Sequence, residues 1–253
     1  MSEGIAANGS LELSGGGLPH LLATARQTVP GGPLEGSASI APYRTGQAFL
    51  AFDPIAFARD RRGVLSISTG VRMSGPLADG RIDDARLPLR LTIGERGAMV
   101  VNTACAPLSW SRLTIAGTTI GASRLPLCPI GGALLRRASD GALSGGAVVE
   151  APRLRGTIGG QPLAIEGRTL TASVGNPGFR VDSLAVRLGD PQDLTRLDIA
   201  RLDGRVENEG IAGSFEALSG KLAAVPLLMT EGEGRWRLAG SRLSLEGGLQ
   251  VAD

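Results

Sequence analysis

The sequence predicts an all-β protein: a long antiparallel meander that forms a curled, open sheet, with at most one or two short helices. Three observations predict it. Apolar and polar residues alternate wherever a period can be read, which puts the apolar ones on one face of a strand. Turn signals built from Gly, Pro, Asp and Asn recur about every 8 to 12 residues, the spacing of hairpins. The composition agrees, since 38 Gly and 15 Pro among 253 residues make about a fifth of the chain, against a usual share of about an eighth. A hydrophobic content of 42% is too high for a disordered chain.

In chain order, the first expected elements are the least strand-like. His20 to Thr28, lying between Pro19 and Pro30, reads as a short helix. Ile55 to Arg62 reads as another, with Asp53 as its cap and Pro54 in its first turn. Strands follow. Leu65, Ile67, Val71 and Met73 face one way, with Ser66, Ser68, Gly70, Arg72 and Ser74 opposite. Leu87, Leu89, Leu91 and Ile93 repeat the pattern against Arg86, Arg90 and Thr92. So do Trp236 and Leu238 against Arg235 and Arg237, and Leu243 and Leu245 against Arg242, Ser244 and Glu246. Such strands have one apolar face and one wet face.

The expected turns fall at Gly75-Pro76, Asp79-Gly80, Gly94 to Gly97, Asp140-Gly141, Gly159-Gly160, Asn176-Pro177-Gly178, Asp203-Gly204, Gly232 and Gly247-Gly248. Proline recurs in Leu87-Pro88-Leu89, Leu125-Pro126-Leu127, Gln161-Pro162-Leu163 and Val225-Pro226-Leu227. Each such proline marks a strand start or a bulge, because it cannot donate to a ladder. The recurrence has no fixed period, so it is not a solenoid repeat. The chain reads as one continuous β-rich segment over 1–253, with a softer boundary near residue 62. Its last residues, Leu249-Gln250-Val251, still alternate like a strand, which is expected of a segment of something longer.

Chemistry is mostly excluded. Lys and Arg number 26 against 24 Asp and Glu, and no basic tract for nucleic acid appears. His20 is the only histidine, so multi-histidine metal sites cannot form and a Ser-His-Asp triad has one residue to draw on. No catalytic residue, metal ligand set or cofactor loop is expected. The acidic pairs Asp83-Asp84 and Glu207 with Glu209 read as solvated turn residues. Arg61-Arg62 and Arg136-Arg137 read as loop charges, with a lipid phosphate as the anion that would use them. No stretch reaches the ~18 apolar residues of a membrane helix.

Cys105 and Cys128 are the only cysteines and are too far apart for a CxxC metal or redox pair. They are either two separate buried thiols or a structural disulfide. Their matching contexts, Cys105-Ala106-Pro107 and Leu127-Cys128-Pro129, favour the disulfide, which belongs to an oxidising compartment such as a periplasm.

The property that recurs through the chain is an aliphatic face, with Leu65, Ile67, Val71, Met73, Leu87, Leu89, Leu91, Ile93, Trp236, Leu238, Leu243 and Leu245 as its expected lining. Two such faces closing on each other make a sandwich core. One such face on an open, curled sheet makes a trough for lipid tails. An aromatic share of 3% leans toward the trough, because rings normally plug the middle of a sandwich.

Two stretches carry a resemblance: TACAPLSWSRLTIAGTTIGASRLPLCP over 103–129 and PLLMTEGEGRWRLAGSRLSLEGGLQVAD over 226–253. The sequence, mainly from residue 63 onward, resembles YdbH-like proteins of Gram-negative bacteria, which belong with the AsmA-like group that includes TamB and YhdP. The resemblance implies a β-taco-like groove in an inner-membrane-anchored periplasmic protein that carries phospholipid between the inner and outer membranes. Its implied partners are phospholipid acyl chains, the two membranes through regions outside this chain, and an unidentified envelope protein; it implies no catalytic residue, no cofactor and no nucleic acid. On about 20 strands at 4.8 Å spacing, the groove would run at most roughly 100 Å. The rival reading is a structural or adhesive secreted β-protein with a closed core and no ligand.

Overall fold

The computed structural model describes residues 8–77, 79–207, 210–223, 225–239 and 242–252. The strands are β1 (Asn8–Gly15), β2 (Leu18–Gln27), β3 (Leu34–Ile40), β4 (Tyr43–Thr45), β5 (Ala48–Phe52), β6 (Ile55–Arg59), β7 (Leu65–Leu77) and β8 (Gly80–Ile93). After a single 3-10 turn at Glu95–Gly97 come β9 (Met99–Val101), β10 (Ala106–Trp110), β11 (Arg112–Ile115), β12 (Thr118–Ile120), β13 (Ser123–Pro129), β14 (Leu135–Arg137), β15 (Leu143–Ser144) and β16 (Gly146–Glu150). The remainder are β17 (Arg153–Ile158), β18 (Gln161–Glu166), β19 (Thr169–Ser173), β20 (Gly178–Leu188), β21 (Thr195–Glu207), β22 (Gly210–Leu222), β23 (Val225–Ala239) and β24 (Arg242–Ala252). All 24 belong to one sheet. Every pairing is antiparallel, the described residues hold no α-helix, and the sheet is not a closed barrel.

Both expected helices are strands. His20 to Thr28 lies mostly in β2, where Leu21, Ala23 and Ala25 alternate with Leu22, Thr24 and Arg26 and the backbone finds a partner on each side, β1 and β3. Ile55 to Arg62 is β6 and the turn after it, paired with β3 and β7. Asp53 caps nothing; its N–H donates to the Gly70 carbonyl at 2.8 Å, and Pro54 sits at the break between β5 and β6. Two neighbouring strands supply more hydrogen bonds than one isolated helical turn could, so pairing overrides the local capping signal.

Many of the strands are pieces of longer arms. β3 with β4, β5 with β6, β9 to β11, β12 to β14, β15 to β17 and β18 with β19 each run in one direction along the same neighbour. Counted as arms, the sheet is a plain meander in which every arm pairs with the one before and the one after. At 4.8 Å per arm this is about 70 Å, shorter than the 100 Å that shorter, more numerous strands would give. Gly75-Pro76, Asp203-Gly204, Gly232 and Gly247-Gly248 lie inside β7, β21, β23 and β24 and not at turns, whereas Gly159-Gly160 and Asn176-Pro177 do turn the chain.

A line of interruptions crosses the arms. Asp84, Ala151, Ser183, Ala217 and Glu231 have φ of 52, 45, 53, 50 and 53°. Ser183 and Ala200, then Ala200 and Ala217, are skipped in the registers of β20 with β21 and β21 with β22, and the register of β23 with β24 shifts beside Glu231. Unpaired bulge residues bend a strand, and bulges aligned on successive arms bend the whole sheet. On one face of these arms sits the core: Ala85, Trp110, Ile120, Leu125, Val149 and Leu163, with Ile82, Leu108, Leu113, Leu127 and Leu170 packed against it.

That core is small. The buried hydrophobic residues all lie between β8 and β18, and no large side chain among the described residues is fully buried. The accessible surface is 16111 Å², where a compact monomer of this mass would expose about 10500 Å². The sheet is mostly a single layer.

Candidate functional site: the apolar face

Register alone shows that one side of the sheet is apolar across its arms. In the N-terminal part, Ala25, Gly36, Phe57, Ile67, Leu91, Val101 and Leu135 stand side by side on successive arms. In the C-terminal part, Val149, Leu170, Val181, Leu202 and Phe215 form a second such row. Ala147, Ala172, Phe179, Gly204, Gly213, Trp236 and Leu245 form a third. Rows of this kind gain from cross-strand packing at each step.

The residues singled out from the sequence all share this face. Leu65, Ile67, Val71, Leu87, Leu89, Leu91, Ile93, Trp236 and Leu238 are half-buried. Met73, Leu243 and Leu245 are exposed, Leu245 at 67%. The sequence reading missed Val149, Leu170, Val181, Leu202, Phe215 and the core around Trp110. Each alternates correctly within its half-arm, but the bulges shift the parity by one, so Phe179 and Val181 share a face with Leu184 and Val186.

Aromatic rings pack closely against glycines here. A Cβ on Gly204 would strike the rings of Phe179 and Trp236, one on Gly36 the ring of Phe57, and one on Gly234 the ring of Phe215 at 2.8 Å. The glycines inside strands, mistaken for turns in Asp203-Gly204, are there to seat rings. Phe179 and Trp236 stand 6.0 Å apart, and the Trp236 Nε1–H donates to the Asp203 carbonyl at 3.0 Å.

The opposite face is charged, and its charges are paired between arms, most of them adjacent. Arg180 contacts Asp203 at 2.7 Å, Arg201 contacts Glu216 at 3.0 Å, Arg187 contacts Asp198 at 2.6 Å and Arg237 contacts Glu207 at 2.8 Å. A cleft of about 1100 Å³ on this side is lined by Arg180, Asp203, Arg235 and Glu246 among others. The acids noted in the sequence belong to the same lattice. Asp83 pairs with Arg81 at 2.6 Å, and Asp84 pairs with both Arg86 and Arg72. Hydrogen bonding from Arg86, helped by Arg72, holds the Asp84 carboxyl below the usual carboxylate range. The Asp203 carboxylate raises Arg180 above the usual guanidinium range. Glu209 lies outside the described residues. The His20 ring meets the Glu12 carboxylate at 2.9 Å on the surface, and Arg136 and Arg137 are exposed on β14. Among the described residues no group of three or more His, Cys, Asp or Glu is placed to hold a metal ion.

Cys105 and Cys128 are bonded to each other, with their sulfurs 2.04 Å apart. The bond joins β10 and β13 where their ladder begins, next to the Ala106 and Leu127 pair. It reinforces a stretch where β8 has lost its strand partner between β9 and β10.

No curated protein matches the chain, and no solved structure does. A family model described as "YdbH-like: Intermembrane phospholipid transport protein YdbH" matches residues 7–251, which takes in the N-terminal arms as well as the stretches that carried the resemblance. With the whole sheet but its last residue inside that match, the chain belongs to the YdbH-like family, a family of intermembrane phospholipid transport.

Proposed function

We propose that this chain is a segment of a lipid conduit whose apolar face carries phospholipid acyl chains between the inner and outer membranes. The observation that carries the reading is the excess of accessible surface, 16111 Å² against about 10500 Å² for a compact monomer, together with a face that is apolar arm after arm. A closed adhesive or structural β-protein would bury that face on a second layer; here much of it has no protein partner within the chain. Moving a 16-carbon tail into water costs on the order of 12 kcal/mol at about 0.8 kcal/mol per methylene. A lipid crossing an aqueous space therefore needs an unbroken apolar path, and rows such as Val149 to Phe215 supply one.

The same reading puts the chain in the periplasm of a Gram-negative envelope, as part of an inner-membrane-anchored protein, with the two membranes and an unidentified envelope protein as partners outside this segment. It assigns no catalytic residue: the Asp, Glu and Arg side chains of the polar face serve solubility. The Cys105–Cys128 bond supports an oxidising compartment.

A photo-crosslinker at Leu89 or Leu91 should capture phospholipid in cells, and one at Arg90 or Ser66 on the other face should not. Leu89→Asp should leave the sheet folded, since half-exposed positions keep an aspartate hydrated, while interrupting the path with a charge. Unfolding of Leu89→Asp combined with no lipid on either face would replace the conduit by the closed structural protein.

A further inference from the structure

The chain has two tryptophans, and their indole N–H groups stand in opposite situations. That of Trp236 donates to the Asp203 carbonyl at 3.0 Å. That of Trp110 is buried and has no acceptor, on a residue only 7% exposed. A buried donor left unpaired costs about 1 to 3 kcal/mol, and such groups are rare enough that each calls for a physical reason.

Position gives the reason. Trp110 ends β10 immediately before the break at Ser111 and belongs to the same apolar face as the conduit rows. Around it are Ala85, Ile120, Leu125, Val149 and Leu163, all buried. This cluster is where the face is buried; toward β1 and toward β24 it is half-buried or exposed among the described residues. A tail travelling along the face has to part these side chains at Trp110. Leu108, Leu113 and Leu127, which pack against the cluster, are half-buried, so on that side the surroundings can yield.

We propose that Trp110 is a specificity-determining residue, whose Nε1–H donates to the acyl ester carbonyl of a glycerophospholipid as it passes this buried cluster. The proposal rests on the conduit reading and names the part of the lipid that is recognised there. The buried lining is wholly aliphatic apart from the indole. It would strip the hydration from a phosphate and return one neutral donor, a strongly unfavourable exchange. An ester carbonyl is uncharged, needs one donor, and lies directly at the head of the tails. The bonded indole of Trp236 is the internal reference for the unbonded one.

The test uses the full chain, stripped of lipid and labelled with ¹⁵N at tryptophan, so that two indole resonances are seen. Short-chain diacyl phosphatidylglycerol should move the Trp110 indole proton downfield and leave that of Trp236 in place; the dialkyl ether analogue, which lacks the carbonyl, should bind without the downfield shift. Trp110→Phe keeps a ring and removes the donor. It should melt no lower than the wild type, because an unpaired group is lost, and should retain diacyl lipid roughly 5-fold less well while leaving ether lipid unaffected. Equal shifts from both lipids, or equal loss of both in Trp110→Phe, overturn the hydrogen bond. An unmoved Trp110 resonance in protein that still crosslinks lipid at Leu89 overturns this proposal and leaves the conduit standing. Failure to bind either lipid anywhere overturns both.

Discussion

The side-chain amide of Asn102 donates to the Pro88 carbonyl at 2.9 Å and accepts from the Arg90 N–H at 2.6 Å. Its own backbone N–H donates to the Arg90 carbonyl at 2.8 Å. β8 here has β7 on one side but neither β9 nor β10 on the other, and one buried side chain, 4% exposed, stands in for the missing strand. Asn102→Ala leaves a backbone donor and acceptor without partners and should destabilise by roughly 2 to 4 kcal/mol, read as a lower denaturant midpoint with unchanged slope. Asn102→Asp should cost less at low pH, where the protonated carboxyl keeps both the acceptor for Arg90 and a donor for Pro88.

Ala217 holds φ at 50° on the bend line of β22. Left-handed backbone costs an alanine about 1 kcal/mol that glycine avoids. Ala217→Gly should therefore stabilise by up to about 1 kcal/mol, the reverse of the usual effect of glycine in a strand, and Ala217→Val should destabilise. Thermal melts of the pair decide it. A loss of stability in Ala217→Gly would count against an aligned bend.

Gly213 stands against the Asp203 carbonyl, which a Cβ would strike, whereas a Cβ on Gly248 meets nothing within 4 Å. Backbone cannot move aside as a side chain can. Gly213→Ala should cost about 2 kcal/mol or more, and Gly248→Ala less than about 0.5 kcal/mol, both by chemical denaturation.

The Asp84 carboxyl is lowered, held there first by Arg86 and then by Arg72. A depressed folded pKa adds stability that is present above the unfolded carboxylate pKa of about 3.9 and is lost as pH falls through the lower folded value. Asp84→Asn should thus melt below the wild type at neutral pH, by the equivalent of at most about 1 kcal/mol for so exposed a pair. The two curves should converge below about pH 4. Asparagine tolerates the left-handed backbone at this position, so the comparison isolates the charge.

Cys105 and Cys128 close a loop of sequence separation 23. On the chain-entropy estimate, replacing both with Ala should cost roughly 3 kcal/mol. Protein taken from an oxidising compartment should weigh about 2 Da less before reduction than after, by intact mass under denaturing conditions. Two freely alkylated thiols would contradict the bond.

Alternation made the arms from Leu65 to Ile93 and from Arg235 to Glu246 legible in the sequence, because their half-arms are long enough to show a period of two. The arms from Gly146 to Leu222 were illegible as a face. Leu197 and Ile199 are odd-numbered and Leu202 is even-numbered, yet all three lie on one side, since Ala200 is skipped in the ladder. Glycine was misread for a related reason. A glycine beneath a ring, such as Gly204 under Phe179 and Trp236, has the same local sequence as a glycine in a turn, and only the partner arm tells them apart. The helix signals around Asp53-Pro54 were real local preferences, overridden by neighbours that no local window contains.

Because each arm pairs only with the arms made just before and just after it, the sheet is in effect a ruler. Adding one hairpin between two arms inserts two rungs and lengthens the sheet by about 10 Å, while the pairings on either side persist in the same register. It also means that no arm must wait for a distant partner: a chain emerging from its N-terminus can lay down the sheet one rung at a time, each rung templated by the edge already formed. Length can therefore change by duplication or deletion of hairpins far more easily than in a sandwich, where every inserted strand must find room in a second layer.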